Sequence, residues 1–145
     1  LSSPSDLTAT SSAGRVALNW SAVTSASSYT VYWDNATGIS SSSTAITSVS
    51  TDNYTHSSLD NGSTYYYKVA ALDSAFTVGA LSSEVSAATP LPAPDNLSVS
   101  GANNTITLTW NSVSGATSYT LYWDNVSGID NSDTPINSIT NDNYT

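Results

Sequence analysis

One segment of the sequence occurs twice in the chain, ninety residues apart. Residues 29–39 are YTVYWDNATGI, and residues 119–129 are YTLYWDNVSGI. Displacing the sequence by 90 positions aligns residues 4–55 with residues 94–145 without a gap, and 23 of the 52 aligned pairs are identical. Internal repeats of this length are typical of tandem domains. The sequence therefore predicts two units built on one plan.

Each unit has the alternating pattern of β-strands. In RVALNW, the apolar residues Val16, Leu18 and Trp20 alternate with other residues, so one face of an extended strand is apolar. The segments YTVYW and TYYYKVAAL alternate in the same way, and clusters of Ser, Thr, Asn, Asp and Gly separate the segments. About seven short strands in about ninety residues are typical of a β-sandwich.

The order and spacing of these motifs resemble a fibronectin type III domain, particularly the bacterial kind. The resemblance rests on PSDLTAT, VALNWSAV, ASSYTVYW, YTHSSLDNGSTYYYKVAALDS and LSSEVSAATP. It implies an all-β, seven-stranded immunoglobulin-like sandwich with Trp20 in the second strand and Tyr29 in the third. It also implies that Tyr65 forms a tyrosine corner, in which the hydroxyl bonds to backbone just upstream.

The resemblance and the repeat together predict the domain organisation. We expect a fibronectin type III-like domain over residues 1–90 and the first four strands of a second one over residues 91–145. The run ATPLPAP at 88–94 is the predicted linker, because its prolines favour an extended connection. A segment resembling residues 56–90 is expected to follow Thr145 in a longer chain of ninety-residue units.

Inward-facing aromatic residues form the predicted core. These residues are Trp20, Tyr29, Trp33, Tyr65, Trp110, Tyr119 and Trp123. In the second unit nothing corresponds to the last strands of the sandwich. Left without partner strands, Trp110, Tyr119, Leu121 and Trp123 are expected to face water.

Charge and cysteine content exclude several classes of function. The chain has eleven acidic residues against Arg15 and Lys68. Binding to nucleic acid or to an anionic membrane surface depends on clustered basic residues, so we expect neither partner. No run in the sequence approaches the length of about 18 or more apolar residues that a membrane span needs, so membrane insertion is not expected either. Without cysteine there is no disulfide, thiol nucleophile or cysteine-ligated zinc site.

Acidic residues in the turn after YTLYW form the only weak candidate for a metal site. Asp124, Asp130 and Asp133 could offer the hard oxygen ligands that Ca²⁺ prefers. The first unit carries Ser40 and Ser43 where the second carries Asp130 and Asp133. Turn formation by Asp and Asn side chains is therefore the favoured interpretation, and no metal or cofactor is predicted.

His56 is the only histidine, and it lies beside Ser57 and Ser58. A hydrolase would need these groups to converge in space, and the sequence lacks the Gly-x-Ser-x-Gly motif that exposes a nucleophilic serine. Glu84 is the sole glutamate, and the aspartates are scattered over loops. No catalytic residue is predicted, and we do not expect an enzyme.

The resemblance implies that Tyr32 and Tyr66 lie on neighbouring strands, with both rings on the outer face of one sheet. The favoured interpretation is a cross-strand aromatic pair, which contributes about 0.2–1 kcal/mol. The alternative is an exposed platform that holds a sugar ring or another subunit.

Asn-x-Ser/Thr sequences recur at equivalent positions in both units. Asn35 and Asn125 form one such pair, and Asn53 and Asn143 form the other. They are the candidate glycosylation sites if the source organism modifies such sequences.

These observations favour a non-catalytic structural or adhesive protein at the cell surface or outside the cell. In this hypothesis the chain is part of a tandem-repeat rod, surface array or fibre, and its partners are further repeats or copies of itself. The alternative is a spacer or carbohydrate-binding module of a secreted polysaccharide-degrading enzyme, with glycans as partners. The choice rests on analogy of fold, which does not determine function.

Overall fold

The computed structural model describes all 145 residues, and its regular elements are all β-strands. In chain order they are β1 (Thr8–Ser12), β2 (Arg15–Asn19), β3 (Ser28–Asp34), β4 (Thr44–Val49), β5 (Asn53–Ser57), β6 (Thr64–Leu72), β7 (Val78–Leu81), β8 (Val85–Ala88), β9 (Ser98–Ala102), β10 (Thr105–Thr109), β11 (Tyr119–Trp123), β12 (Thr134–Ile139) and β13 (Asn143–Tyr144). No helix with the length and apolar character needed to cross a membrane is present. The chain forms two compact units, unit 1 (Leu1–Pro90) and unit 2 (Leu91–Thr145).

Unit 1 is a sandwich of two antiparallel sheets. One sheet has the order β1-β2-β5, and the other has the order β4-β3-β6. β7 and β8 pair with successive parts of β6, so they act as one edge strand that is interrupted between Leu81 and Val85. The predicted all-β, immunoglobulin-like sandwich is confirmed.

The core of unit 1 lies between the two sheets and is made of residues at alternate strand positions. Val16, Leu18, Val31, Tyr67 and Val69 are almost completely buried. Each buried side chain of this size contributes about 1.5–3 kcal/mol relative to an exposed one. The alternation in the sequence therefore specifies which face of each strand is covered.

Aromatic rings contact one another in and beside this core. The rings of Trp20 and Tyr29 meet edge to face with their centroids 5.3 Å apart. Trp33 is only partly buried, and its ring lies 4.5 Å from that of His56 and 5.9 Å from that of Tyr65. Such arrangements add about 0.5–1.5 kcal/mol beyond the area they bury.

Unit 2 repeats the first five strands of unit 1 in the same register. β9, β10 and β13 form one sheet, and β11 pairs with β12. A bulge in β4, where Ser48 has a φ of 63°, recurs in β12, where Ser138 has a φ of 61°. The edge-to-face contact recurs between Trp110 and Tyr119, again at 5.3 Å. The internal repeat is thus a repeat of backbone geometry.

The structure corrects two expectations about the aromatic residues of unit 2. Trp123, assigned to the core, is 52% exposed, because no strand in unit 2 corresponds to β6, which pairs with β3 in unit 1. Trp110, expected to face water, is buried because it packs against Tyr119. Tyr119 and Leu121 are partly buried.

Candidate functional site

The turn before β6 is fixed by two buried side chains. The Tyr65 hydroxyl accepts a hydrogen bond from the Asp60 backbone N–H at 3.1 Å, which is the geometry of a tyrosine corner. The Thr89 hydroxyl donates to the Asp60 carbonyl oxygen at 2.6 Å and accepts from the Ser63 N–H at 3.2 Å. Gly62 has a φ of 72° in this turn, a conformation that favours glycine.

A second tyrosine contact occurs in both units, and the sequence analysis missed it. The hydroxyl of Tyr29 accepts from the Val23 N–H at 2.9 Å, and that of Tyr119 accepts from the Val113 N–H at 2.8 Å. The signal was a valine six residues before a tyrosine in each unit. These contacts fix the connection that precedes β3 and β11.

Replacing Tyr65 with phenylalanine is expected to lower the free energy of unfolding of unit 1 by about 1 kcal/mol, because one partly buried hydrogen bond is lost. In a domain of this size that loss lowers the melting temperature by about 4–8 °C. Thermal unfolding followed by circular dichroism measures it. Tyr54→Phe is the control, since Tyr54 is a partly buried tyrosine of the same unit and its hydroxyl makes no protein hydrogen bond. Equal melting temperatures for the two variants would contradict a stabilising role for the corner.

Glu84 holds the loop that follows β3. Its carboxylate accepts hydrogen bonds from the Thr37 hydroxyl at 2.6 Å, the Ile39 N–H at 2.7 Å and the Gly38 N–H at 3.0 Å. Gly38 has a φ of 96°, which favours glycine at this point of the loop. Sequence analysis identified Glu84 only as the sole glutamate, because its partners lie 45 or more residues away along the chain.

The hydrogen bonds to Glu84 favour its charged form. The Thr37 hydroxyl, followed by the Ile39 amide, holds the pKa of the Glu84 carboxyl below the ordinary value of 4.5. We expect the amide proton shifts of Gly38 and Ile39 to titrate together, with a midpoint below 4.5. Because the folded-state pKa is lowered, the contribution to stability is present above the unfolded pKa and is lost as the pH falls through the folded pKa.

NMR titration of the full chain measures this behaviour, with Glu84→Gln as the control. The glutamine variant should abolish both amide titrations, because it removes the carboxylate to which these two amides donate. A wild-type midpoint at or above 4.5 would show that the carboxylate is not held by these groups in solution.

The loop held by Glu84 covers part of the surface where an exposed tyrosine platform was the alternative interpretation. Ile39 is buried against Tyr32 and Ala70, so Tyr32 is only 8% exposed. Tyr66 is partly buried and packs against the same cluster. An exposed platform of two rings is therefore wrong. In the sheet, Tyr32 lies opposite Lys68, and Tyr66 lies two residues before Lys68 on the same face of β6. The two tyrosines are therefore diagonal neighbours.

His56 belongs to the aromatic contacts of unit 1. Its Nδ1 lies 3.2 Å from the Tyr67 hydroxyl, and its ring contacts Trp33. Burial lowers the pKa of His56 and raises that of the Tyr67 hydroxyl. Ser57 is the next residue of β5 and so faces the other side of the strand. The structure gives His56 a packing role and does not bring a serine hydroxyl to its ring.

The acidic residues proposed as calcium ligands bind their own turns. Asp130 accepts hydrogen bonds from the Ser132 hydroxyl at 2.6 Å and from the Ser132 N–H at 2.7 Å, and these contacts lower the pKa of Asp130. Asp133 accepts from the Asp130 N–H at 2.6 Å, and Asp124 accepts from the Asn125 N–H. No group of three His, Cys, Asp or Glu side chains is placed to hold a metal ion.

Millimolar Ca²⁺ or EDTA is expected to change the melting temperature of the chain by less than about 2 °C, since only a ligand bound to the native state raises stability. The carboxylates of Asp130 and Asp133 already accept backbone hydrogen bonds, and Asp124 lies in a separate turn. Differential scanning calorimetry in both solutions makes the comparison. A shift that appears with Ca²⁺ and is absent from the Asp130→Ser variant would restore the calcium site.

The candidate glycosylation sites are all on the surface. Asn35, Asn53, Asn125 and Asn143 are exposed. Asn35 is the first residue after β3, Asn125 is the second residue after β11, and Asn53 and Asn143 begin β5 and β13. A modifying enzyme could reach each side chain, and glycosylation at these positions stays a prediction.

The paired sheets, the tyrosine corner and the buried Trp–Tyr contact define an immunoglobulin-like β-sandwich protein. A similar fold occurs in a Fn3-like protein from Clostridium thermocellum, with 28% sequence identity and a TM-score of 0.51 over 60% of this chain and 91% of that one. It also occurs in the chicken CNTN1 FN1–FN3 domains, with 17% identity and a TM-score of 0.50 over 98% of this chain and 55% of that one. The chain therefore has a fibronectin type III-like fold.

A third similar structure is part of a larger enzyme. The β-1,2-glucanase from Parabacteroides distasonis matches with 24% identity and a TM-score of 0.51, over 62% of this chain and 13% of that one. At this identity the likeness concerns the fold alone. No protein-family model and no curated protein sequence matches the chain.

Proposed function

We propose that this protein is a non-catalytic structural or adhesive module outside the cell, part of a tandem-repeat rod, surface array or fibre. The observation that carries this proposal is the repeat of geometry between the two units. Strand registers, the bulge at Ser48 and Ser138, and the Trp–Tyr contact recur ninety residues apart. Repetition of one compact unit extends a chain by regular steps, which suits a stalk or a fibre.

The roles of the polar residues support the same proposal. Glu84 and Thr89 bind backbone groups of turns distant in sequence, and Asp130 binds those of its own turn. Asp73 accepts hydrogen bonds from two amides of the β6–β7 loop. The one histidine packs against aromatic rings. Groups that could perform chemistry are thus engaged in holding turns and the core. The acidic, hydroxyl-rich surface would keep such an array soluble.

Immunogold electron microscopy of the native source, with antibodies raised against this chain, tests the proposal. We expect gold particles on the outer surface of intact cells, arranged along fibres or in arrays. Labelling confined to the interior of sectioned cells would reject the extracellular location, and single scattered particles would reject the array. Pre-immune serum is the control for nonspecific labelling.

A second candidate function is that of a spacer or carbohydrate-binding module in a secreted polysaccharide-degrading enzyme. The observation in its favour is the similarity of fold to a part of the β-1,2-glucanase. Of the two tyrosines considered as a platform, Tyr66 keeps a partly exposed ring that could stack on a sugar. Retention of the full chain on an insoluble glucan, lost in Tyr66→Ala and kept in Tyr54→Ala, would support this function. No retention would favour the structural module.

A further inference from the structure

We propose that the pair formed by Asn61 and Gly62 is a site of spontaneous covalent modification in unit 1. At this site Asn61 is converted to aspartate and isoaspartate, and the turn before β6 controls the rate of the conversion. The inference goes beyond the proposed function, because the reaction requires neither an array of repeats nor a larger enzyme.

The chain contains one Asn-Gly pair, in which Gly62 follows Asn61. The backbone nitrogen of the second residue of such a pair can attack the side-chain carbon of the asparagine. Glycine permits this attack best, because it has no Cβ to obstruct the approach. The other twelve asparagines of the chain precede residues that carry a side chain. Asn61 is therefore the asparagine whose neighbour favours the reaction most.

The conversion needs only water and a base from the solvent. The Gly62 amide loses its proton to the base, and its nitrogen forms a bond to Cγ of Asn61. The bond between Cγ and Nδ2 breaks, and the nitrogen leaves as ammonia after taking a proton from water. Water then opens the cyclic imide. Cleavage at Cγ gives aspartate, cleavage at the backbone carbonyl carbon of Asn61 gives isoaspartate, and both products carry a new carboxylate.

The folded turn holds both of the groups that react. The Oδ1 atom of Asn61 accepts a hydrogen bond from the Gly14 N–H at 2.8 Å, which fixes the side-chain amide. The Gly62 N–H donates to the Thr89 carbonyl oxygen at 2.9 Å, which shields the proton that the base must remove. The imide can therefore form only when the turn opens. The positive φ of Gly62 shows that the turn itself favours glycine next to Asn61.

Thr89 is the residue that keeps the turn closed. It is 2% exposed, and its hydroxyl binds the backbone of Asp60 and Ser63 on either side of the reactive pair. When a group reacts only in an open state, the observed rate is the rate of that state multiplied by its population. The stability of the turn thus sets the rate at which Asn61 is modified.

Modification would loosen the contact between this turn and the turn that joins β1 to β2. The Leu59 N–H donates to the Gly14 carbonyl oxygen at 3.0 Å, beside the contact between Gly14 and Asn61. In isoaspartate the backbone runs through the former side chain, and the remaining carboxylate is one carbon closer to the backbone. It no longer reaches the Gly14 N–H, so each modified molecule retains a weakened turn.

A comparison of the full chain with a synthetic peptide of residues 56–67 tests the proposal without any variant. Both are incubated at mildly alkaline pH and digested with chymotrypsin, and mass spectrometry of the fragment 60–65 measures the exchange of NH₂ for OH. We expect Asn61 to react at least about tenfold more slowly in the chain than in the peptide, because the turn is mostly closed. Equal rates would overturn control by the turn. No conversion of the chain during about one hundred half-times of the peptide would overturn the site itself.

Substitutions of Thr89 test whether this turn is the element that opens. Thr89→Val removes the hydroxyl, so we expect Asn61 to react about fivefold faster than in the wild-type chain. Thr89→Ser is the matched control, because it retains the hydroxyl and should leave the rate within about twofold of the wild type.

Tyr29→Phe is the control for a general loss of stability, since it removes a hydrogen bond to Val23 elsewhere in unit 1. We expect this variant to react at the wild-type rate, because it leaves the turn before β6 intact. Equal acceleration by Tyr29→Phe and Thr89→Val would show that Asn61 reacts only in the globally unfolded chain. That result, or a Thr89→Val variant that reacts at the wild-type rate, would overturn the proposal.

Discussion

Replacing Trp20 with alanine is expected to lower the free energy of unfolding of unit 1 by about 3–5 kcal/mol, or to unfold it. The indole is buried and meets the ring of Tyr29 edge to face at 5.3 Å. Its removal leaves a cavity between the sheets, which surrounding side chains fill only in part. The Trp20 Nε1–H has no hydrogen-bond partner, so the substitution also removes an unsatisfied buried donor. Removing this unsatisfied donor offsets part of the cost, so we expect a loss of unfolding free energy in the lower part of that range.

The repeat provides a matched control, Trp110→Ala. Trp110 is buried to a similar degree and makes the same contact with Tyr119, but it also lines the open groove of unit 2. Water can reach the space that this substitution leaves, so we expect a smaller loss than in Trp20→Ala. Chemical denaturation followed residue by residue in ¹H–¹⁵N spectra separates the two units. An unfolding curve of unit 1 that Trp20→Ala leaves unchanged would remove Trp20 from the core.

Features set by residues close in sequence could be predicted from the sequence. The alternation in RVALNW specified which residues of β2 are buried, because side chains alternate between the faces of a strand. In β3 the alternation identified Tyr29 and Val31 as buried, but Thr30 and Tyr32 on the other face are buried too. The repeat itself indicated that both units share one plan. The tyrosine corner followed from the resemblance, and it joins groups only five residues apart.

Features that depend on distant residues could not be predicted. Ile39 and Ile129 occupy the same motif, yet one is buried and the other is exposed. The difference arises because Ile39 packs against Ala70 of the distant strand β6, and unit 2 has no strand that corresponds to β6. The same packing buries Tyr32, which the sequence placed on an open surface. Local sequence specifies a loop conformation, and a long-range partner decides what that loop covers.

Val31 and Leu121 are equivalent positions in the two units, and replacing each with aspartate is expected to have very different effects. Val31 is completely buried in the core of unit 1. Full burial can shift a carboxyl pKa by about 3–5 units, each equal to about 1.4 kcal/mol, so a charged aspartate there costs about 4–7 kcal/mol. This is comparable to the whole stability of a small domain, about 5–15 kcal/mol. We therefore expect Val31→Asp to unfold unit 1 at neutral pH.

Leu121→Asp is expected to cost unit 2 only about 1–2 kcal/mol, because Leu121 is already partly exposed and a carboxylate on the free edge of β11 keeps its water. The ¹H–¹⁵N spectra should therefore lose the dispersed signals of unit 1 in Val31→Asp and keep those of unit 2 in Leu121→Asp.

Val31→Asn separates the effect of charge from that of shape, since it has a polar side chain of similar size without the ionisation cost. If burial of charge is the cause, Val31→Asp should regain structure as the pH falls below the raised pKa of the new carboxyl, whereas Val31→Asn should not. Equal losses from Val31→Asp and Leu121→Asp would contradict the difference in burial between Val31 and Leu121.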